Sequence, residues 1–255
     1  MILIIVESLG APVAPDVADL QLQSLLQLDA LSGVSVTRGS IPFHGSTVPA
    51  ELRELCSVRS GTLHPDVTAI AAACLPLQLR QHGYHGTAIH GFSGSMFSRN
   101  LWYRQLGFDD IRFAPDVLRL KPDASRCGIA FNGICDQDAW DFLLDQVLDD
   151  ERERQFIYWL TLSAHLPLVA DEQRGEQAHR DCAVLSDLQT QFPVCLLIHQ
   201  HRSLFTRIAG TVASGRFRDT LLIVVGDHAP PFIRPPYRQV FSDTHVPYLI
   251  IDIAP

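Results

Sequence analysis

Two apolar runs in this chain stop abruptly at groups that bind protons or metals. MILIIVESLG ends at Glu7 and Ser8, and LLIVVGDHAPPF breaks at Gly226, Asp227 and His228. Carboxylate oxygen and imidazole nitrogen are ligands for tetrahedral zinc, and carboxylate-rich sets also suit manganese or magnesium. A third stretch, FHGSTVPAELRELC, places Thr47 just before a segment whose Leu52, Leu55 and Cys56 recur at helical spacing. Ser46 or Thr47 ahead of Pro49 and Glu51 makes an ordinary helix N-terminus, so capping is one reading of the hydroxyl. The other reading is chemical. A hydroxyl at the positive end of a helix dipole, next to a divalent ion, becomes a nucleophile toward phosphorus.

Such groups need a frame that brings them together. Short runs rich in Ile, Val and Leu occur at 1–6, 34–37, 85–89, 155–162, 220–225 and 246–251. Between them, helical spacing appears at 47–57, 67–82, 136–149 and 196–214. The alternation predicts one α/β domain with a mostly parallel sheet and helices on both faces. Within 136–149, Trp140, Leu143, Leu144 and Val147 share one stripe, as on a surface helix. The Pro-rich stretch 229–243 reads as a loop. In sheets of this kind functional groups gather at the carboxyl ends of strands. Glu7, Asp227 and His228 are therefore expected to face one crevice.

At 255 residues, 47% hydrophobic and 19% charged, the chain has ample material for a large core. A net charge of −8 and the lack of any Lys/Arg run argue against nucleic acid as a partner. No apolar stretch reaches the ~18 residues of a membrane span, and the N-terminus lacks the marks of a signal peptide. The six cysteines allow three disulfides in fifteen pairings. Local spacing suggests Cys127 with Cys135 and Cys182 with Cys195; six reduced thiols are the other reading. None has the C-x-x-C spacing of a zinc or redox site.

Five stretches occur in a telling order: IIVESLG, HGSTVPAELRELC, HGFSGSMFSRNLWYRQLGFDDI, YWLTLSAHLPL and VVGDHAPP. Together they resemble the alkaline-phosphatase/sulfatase superfamily, over residues 1 to about 250. They look most like the extracytoplasmic domains of lipoteichoic-acid synthases, phosphoglycerol transferases and lipid A phosphoethanolamine transferases. The resemblance implies a three-layer α/β/α sandwich forming a single catalytic domain over 1–255, with a membrane segment outside this chain. It implies one divalent metal, zinc or manganese, held by Glu7, Thr47, Asp227 and His228, with Thr47 also the nucleophile. Such enzymes move phosphoethanolamine or phosphoglycerol from a phospholipid donor, through a threonine ester, to a cell-surface glycan or lipid acceptor. The expected location is the periplasmic, extracytoplasmic face of the inner membrane, where disulfides form.

The same resemblance assigns His90 and Arg99 to phosphate binding, and His165 to the phosphoryl group or leaving oxygen. THVP, near the C-terminus, makes His245 a second histidine by the phosphate. Phosphoryl transfer needs concentrated positive charge on the equatorial oxygens, which a planar arginine and protonated histidines supply. Each has a structural alternative; Arg99, for one, could pair with Asp109. His44, His64, His82, His85, His179, His199 and His201 carry no motif and are read as structural. Phe97 and Phe92 depart from the lipoteichoic-acid pattern. THVP leans toward phosphoethanolamine, and the nucleophile segment and LGFDDI toward phosphoglycerol. A metal-dependent phosphatase or phosphodiesterase, and a non-catalytic binding domain, are the competing readings. Sulfatase activity is disfavoured, because Thr47-Val48-Pro49-Ala50-Glu51 replaces the Cys/Ser-x-Pro-x-Arg motif.

Overall fold

A computed structural model describes residues 1–148, 154–168, 171–185 and 191–255. Its strands are β1 (Ile2–Val6), β2 (Val34–Pro42), β3 (His85–His90), β4 (Asp110–Phe113), β5 (Arg126–Cys127), β6 (Gly133–Ile134), β7 (Gln155–Leu160), β8 (Thr220–Gly226) and β9 (His245–Ile253). The helices are α1 (Pro15–Leu26), α2 (Thr47–Cys56), α3 (Leu75–Gln81), α4 (Arg99–Gln105), α5 (Ala114–Leu120), α6 (Asp136–Phe142), α7 (Glu172–Cys182), α8 (Phe192–Ala213) and the single turn α9 (Pro235–Arg238). Seven strands form one sheet in the order β2-β9-β8-β1-β7-β3-β4. Within this sheet β9 runs antiparallel to both neighbours and the remaining pairings are parallel, while β5 and β6 form a separate antiparallel pair.

The centre of the sheet shows why an unbroken apolar run makes a strand here. Along β1, Ile2, Ile4 and Val6 enter one core, shared with Leu22 and Leu25 of α1 and Leu204 and Phe205 of α8. Leu3 and Ile5 enter the opposite core, with Val48 and Leu52 of α2 and Trp102 of α4. Side chains alternate with period two, so a strand covered on both faces must be apolar at every position. The result is the α/β/α layering expected from the sequence.

All six apolar runs are strands of the sheet. The helical stretches fit less closely. Only Leu75–Gln81 of 67–82 forms an α-helix, with Pro76 in its first turn fixing the start. Over 136–149 the α-helix stops at Phe142 and continues as a wider π turn through Val147; residue 149 lies outside the described residues. Trp140 and Leu143 on that stripe are fully buried, so it is a core stripe. The 229–243 stretch is loop apart from α9. Cys127–Cys135 and Cys182–Cys195 are bonded as their spacing suggested, and Cys56–Cys74 completes three disulfides with no free cysteine.

Candidate metal centre and nucleophile

Val6 and Gly226 are register partners at the ends of β1 and β8, so the residues that follow leave the sheet side by side. The strands are packed tightly there. A Cβ on Gly226 would lie 2.0 Å from the Leu9 carbonyl oxygen, which explains the glycine before Asp227. Ser8 takes a left-handed conformation (φ 56°), and its amide donates to Asp227 Oδ1 at 2.8 Å. The His228 amide donates to the same oxygen at 2.6 Å. Oδ2 is buried and accepts no hydrogen bond among the described residues, and it lies 3.2 Å from His228 Nε2. Glu7 Oε1 accepts the Ser8 hydroxyl at 3.0 Å and lies 3.6 Å from His228 Nε2. Thr47 Oγ1 donates to Glu7 Oε2 at 3.2 Å and lies 3.5 Å from His228 Nε2.

The chemistry of this set fits a cation. His228 Nδ1 donates to the Ala229 carbonyl at 2.9 Å; that fixes the tautomer and turns the Nε2 lone pair toward the acids. Ligands ~2.1 Å from a tetrahedral ion stand roughly 3.4 Å apart, which matches the separations of 3.2, 3.5 and 3.6 Å. Burial pushes the Asp227 carboxyl up to about 7, with Glu7 adding to the rise. Burial disfavours the His228 cation, but Asp227 and Glu7 outweigh it and raise its pKa. A buried carboxylate oxygen without a donor, facing another carboxylate, is what a resident positive charge would neutralise.

The family model named Sulfatase matches residues 1–253. This chain belongs to the sulfatase family. A search of curated protein sequences found no match. Among solved structures, the lipoteichoic acid synthase LtaP of Listeria monocytogenes is similar, with a TM-score of 0.70 and 14% identity over 100% of this chain and 65% of that one. The C-terminal periplasmic domain of Escherichia coli EptC gives 0.66 and 15%, over 99% and 72%. The Streptococcus pyogenes phosphoglycerol transferase GacH, in complex with sn-glycerol-1-phosphate, gives 0.60 and 14%, over 98% and 66%. At these identities the likeness is one of fold, the alkaline-phosphatase-like sandwich. The chain spans 65% of the length of the lipoteichoic acid synthase.

In this sulfatase-family fold, α2 carries Thr47 as its first residue, with Ser46 at the cap position making no side-chain capping bond. Arg53 of α2 donates to the backbone carbonyls of Gly226 (2.8 Å) and Asp227 (3.3 Å), tying the helix to the acid-bearing loop. Glu51 is not a solvated helix-start residue. It is fully buried and accepts Arg99 Nε and Nη2 on one oxygen, and the Tyr103 and Tyr158 hydroxyls on the other. Burial raises both phenols well above their usual range, Glu51's charge adding, so they remain protonated donors.

The remaining expected residues lie at the same edge of the sheet but are not bonded to these four. Arg99 pairs with Glu51 rather than Asp109, which takes Arg80 at 3.2 Å. Arg99 is thus 2% exposed and holds a carboxylate. His90 ends β3 and donates from Nδ1 to the Leu160 carbonyl at 3.2 Å. Burial, then Arg99, lowers its pKa to about 3, so its ring is neutral near pH 7. His165 follows β7; its ring meets Phe131 edge-on at 4.3 Å, and its buried Nδ1 has no partner among the described residues. His245 opens β9, whose antiparallel course starts it at the carboxyl end of β8, and its Nδ1 lies 2.9 Å from Thr244 Oγ1.

Several further residues support the site. Thr161 Oγ1 accepts the Glu7 amide at 2.9 Å. His201 of α8 donates to the Glu7 carbonyl at 3.1 Å, and its other nitrogen accepts from Gln21 of α1 at 3.0 Å. Asp136 accepts the Leu162 and Ser163 amides, both at 2.9 Å, and so fixes the loop that carries His165. Burial raises the Asp136 carboxyl to about 7. For Gln21 and His201 the signal in the sequence is a polar residue inside an apolar helix stripe, near Leu22 and Leu25 and near Leu197 and Leu204.

Proposed function

We propose that this chain is a metal-dependent transferase. It moves phosphoethanolamine or phosphoglycerol from a phospholipid, through an ester on Thr47, to a cell-surface glycan or lipid. The observation that carries the reading is the Thr47 hydroxyl at the head of α2, hydrogen-bonded to Glu7 and within 3.5 Å of His228 Nε2. Glu7, Thr47, Asp227 and His228 would hold one zinc or manganese ion. When bound, that ion supplies positive charge that favours the alkoxide of Thr47 and the developing charge on the phosphoryl oxygens.

Thr47 Oγ1 attacks phosphorus, and the bond to the diacylglycerol oxygen breaks. Glu7 Oε2, which already accepts the Thr47 proton, is placed to take it. His165 and His245 are assigned to the phosphoryl group and to protonation of the departing alkoxide. The acceptor hydroxyl then attacks the same phosphorus as the bond to Thr47 Oγ1 breaks; its proton goes to the histidine that protonated the first alkoxide, and Glu7 returns its proton to Thr47. His90, neutral and buried, ties the end of β3 to the end of β7 and adds no charge. Arg99 holds Glu51 of the helix that carries Thr47, and so positions that helix.

The three disulfides support an oxidising, extracytoplasmic setting. Among the described residues no helix is long and apolar enough to cross a membrane. By its resemblance to membrane-anchored transferases, 1–255 is proposed as a catalytic domain held at the membrane by a segment outside this chain. The test is release of diacylglycerol from phosphatidylethanolamine or phosphatidylglycerol by zinc- or manganese-loaded protein. His165→Ala and His245→Ala should keep the metal and lose rate by roughly 10²-fold or more. Asp227→Ala and His228→Ala should lose metal and rate together. Unchanged rates in the histidine pair would remove them from the mechanism, and no release from either lipid would reject the donor class.

A further inference from the structure

Between the chain segments that follow His165 and His228 the surface opens into a groove of ≈ 630 Å³, within the ~300–1,000 Å³ range of small-molecule sites. Leu166 and Leu168, immediately after His165, form one wall, and Phe232 and Ile233, shortly after His228, form another. Phe192 and Leu196 of α8 line it as well. Leu168, Phe192 and Phe232 pack on a buried cluster that includes Val194 and Leu197, so the lining is anchored in the core.

Two features at the mouth point to the occupant. Ile233 is 95% exposed and lines the same slot as Phe232 and Leu166, so the apolar lining reaches out into solvent. Next to it Arg234 is exposed, with no ion pair or side-chain hydrogen bond among the described residues. An apolar slot with an uncompensated cation at its opening, continuous with the loops that carry His165 and His228, matches the polarity of an amphiphile whose head carries a phosphate.

We infer that this groove holds an acyl chain of the phospholipid whose head group the site takes, with Arg234 facing the phosphate end. The inference rests on the phospholipid reading given above. It makes the groove a specificity site: the chain anchors the donor while its phosphodiester lies against Thr47.

The test separates chain binding from chemistry. Lysophosphatidylethanolamine, kept below its micelle-forming concentration, is titrated against metal-free protein, with glycerophosphoethanolamine as the chain-free control. The lysolipid should bind saturably and several-fold tighter with each pair of added methylenes, because buried apolar area scales with chain length. Ile233→Asp, at a position already in solvent, should weaken it at least tenfold. The same variant should leave turnover of a chain-free phosphodiester with this head group unchanged. Lysolipid binding no better than the control, or an Ile233→Asp variant that binds like wild type, would overturn the inference. So would self-association lost in Ile233→Asp with no lysolipid bound, which would give the groove to a second copy. Chain binding without any phospholipid turnover would uphold the groove and reject the transferase reading.

Discussion

Arg99 closes on a single oxygen of Glu51, through Nε at 2.9 Å and Nη2 at 2.7 Å, with both residues buried. Glu51 lies one turn after Thr47, and its other oxygen takes Tyr103 and Tyr158. The cluster therefore ties α2, the helix headed by Thr47, to α4 and β7.

Breaking one side of a buried pair leaves the other charge without a partner, at a cost of about 3–5 kcal/mol. Glu51→Gln and Arg99→Ala should each destabilise the fold by that order in urea denaturation. A Glu51→Gln/Arg99→Met double variant should lose less than the sum of the single changes. An Arg99→Ala protein of wild-type stability would instead make Arg99 primarily a substrate contact.

Metal affinity should rise with pH. The Asp227 carboxyl is raised to about 7 and His228 is raised above its usual value. Both therefore hold protons in the metal-free site on the acid side of pH 7, and both must release them to bind a cation. Zinc titrations should show weaker binding at pH 6 than at pH 8, with protons released into the buffer. Affinity that is flat over this range would mean that these two groups are not ligands.

His201 should make the metal-free fold acid-sensitive. Burial lowers its pKa to about 4, below the ~6.5 of an unfolded histidine. Its contribution is therefore full above pH 6.5 and is lost as pH falls toward 4. The difference corresponds to roughly 3 kcal/mol. Urea denaturation at pH 7 and pH 5 should show a larger loss for wild type than for His201→Gln. Equal losses would mean that the imidazole gains its proton at Nδ1 without cost to the contact with Gln21.

The sheet was legible because strands buried on both faces must be continuously apolar, as β1 and β8 are. β4 was not, since Asp110-Ile111-Arg112-Phe113 is a short edge strand with only partial burial. Glu7, Asp227 and His228 could be read as neighbours because parallel strands end together. Glu51 could not, because a carboxylate one turn into a helix reads as an N-terminal acid until Arg99 and Tyr158 are placed around it. The same holds for His201 and Gln21, which meet only when α1 and α8 pack together. The Cys56–Cys74 bond spans 18 residues and had no spacing signal.

The most direct measurement is intact mass after incubating the zinc- or manganese-loaded protein with phosphatidylethanolamine or phosphatidylglycerol, followed by peptide mapping. Covalent catalysis through Thr47 predicts a head-group phosphoryl adduct on that residue, formed with one of the two lipids and discharged by an acceptor alcohol. Thr47→Ala should form no adduct while keeping its fold, and Thr47→Ser should form it more slowly. An adduct on Ser46, or wild-type turnover by Thr47→Ala, would contradict the assignment of the nucleophile.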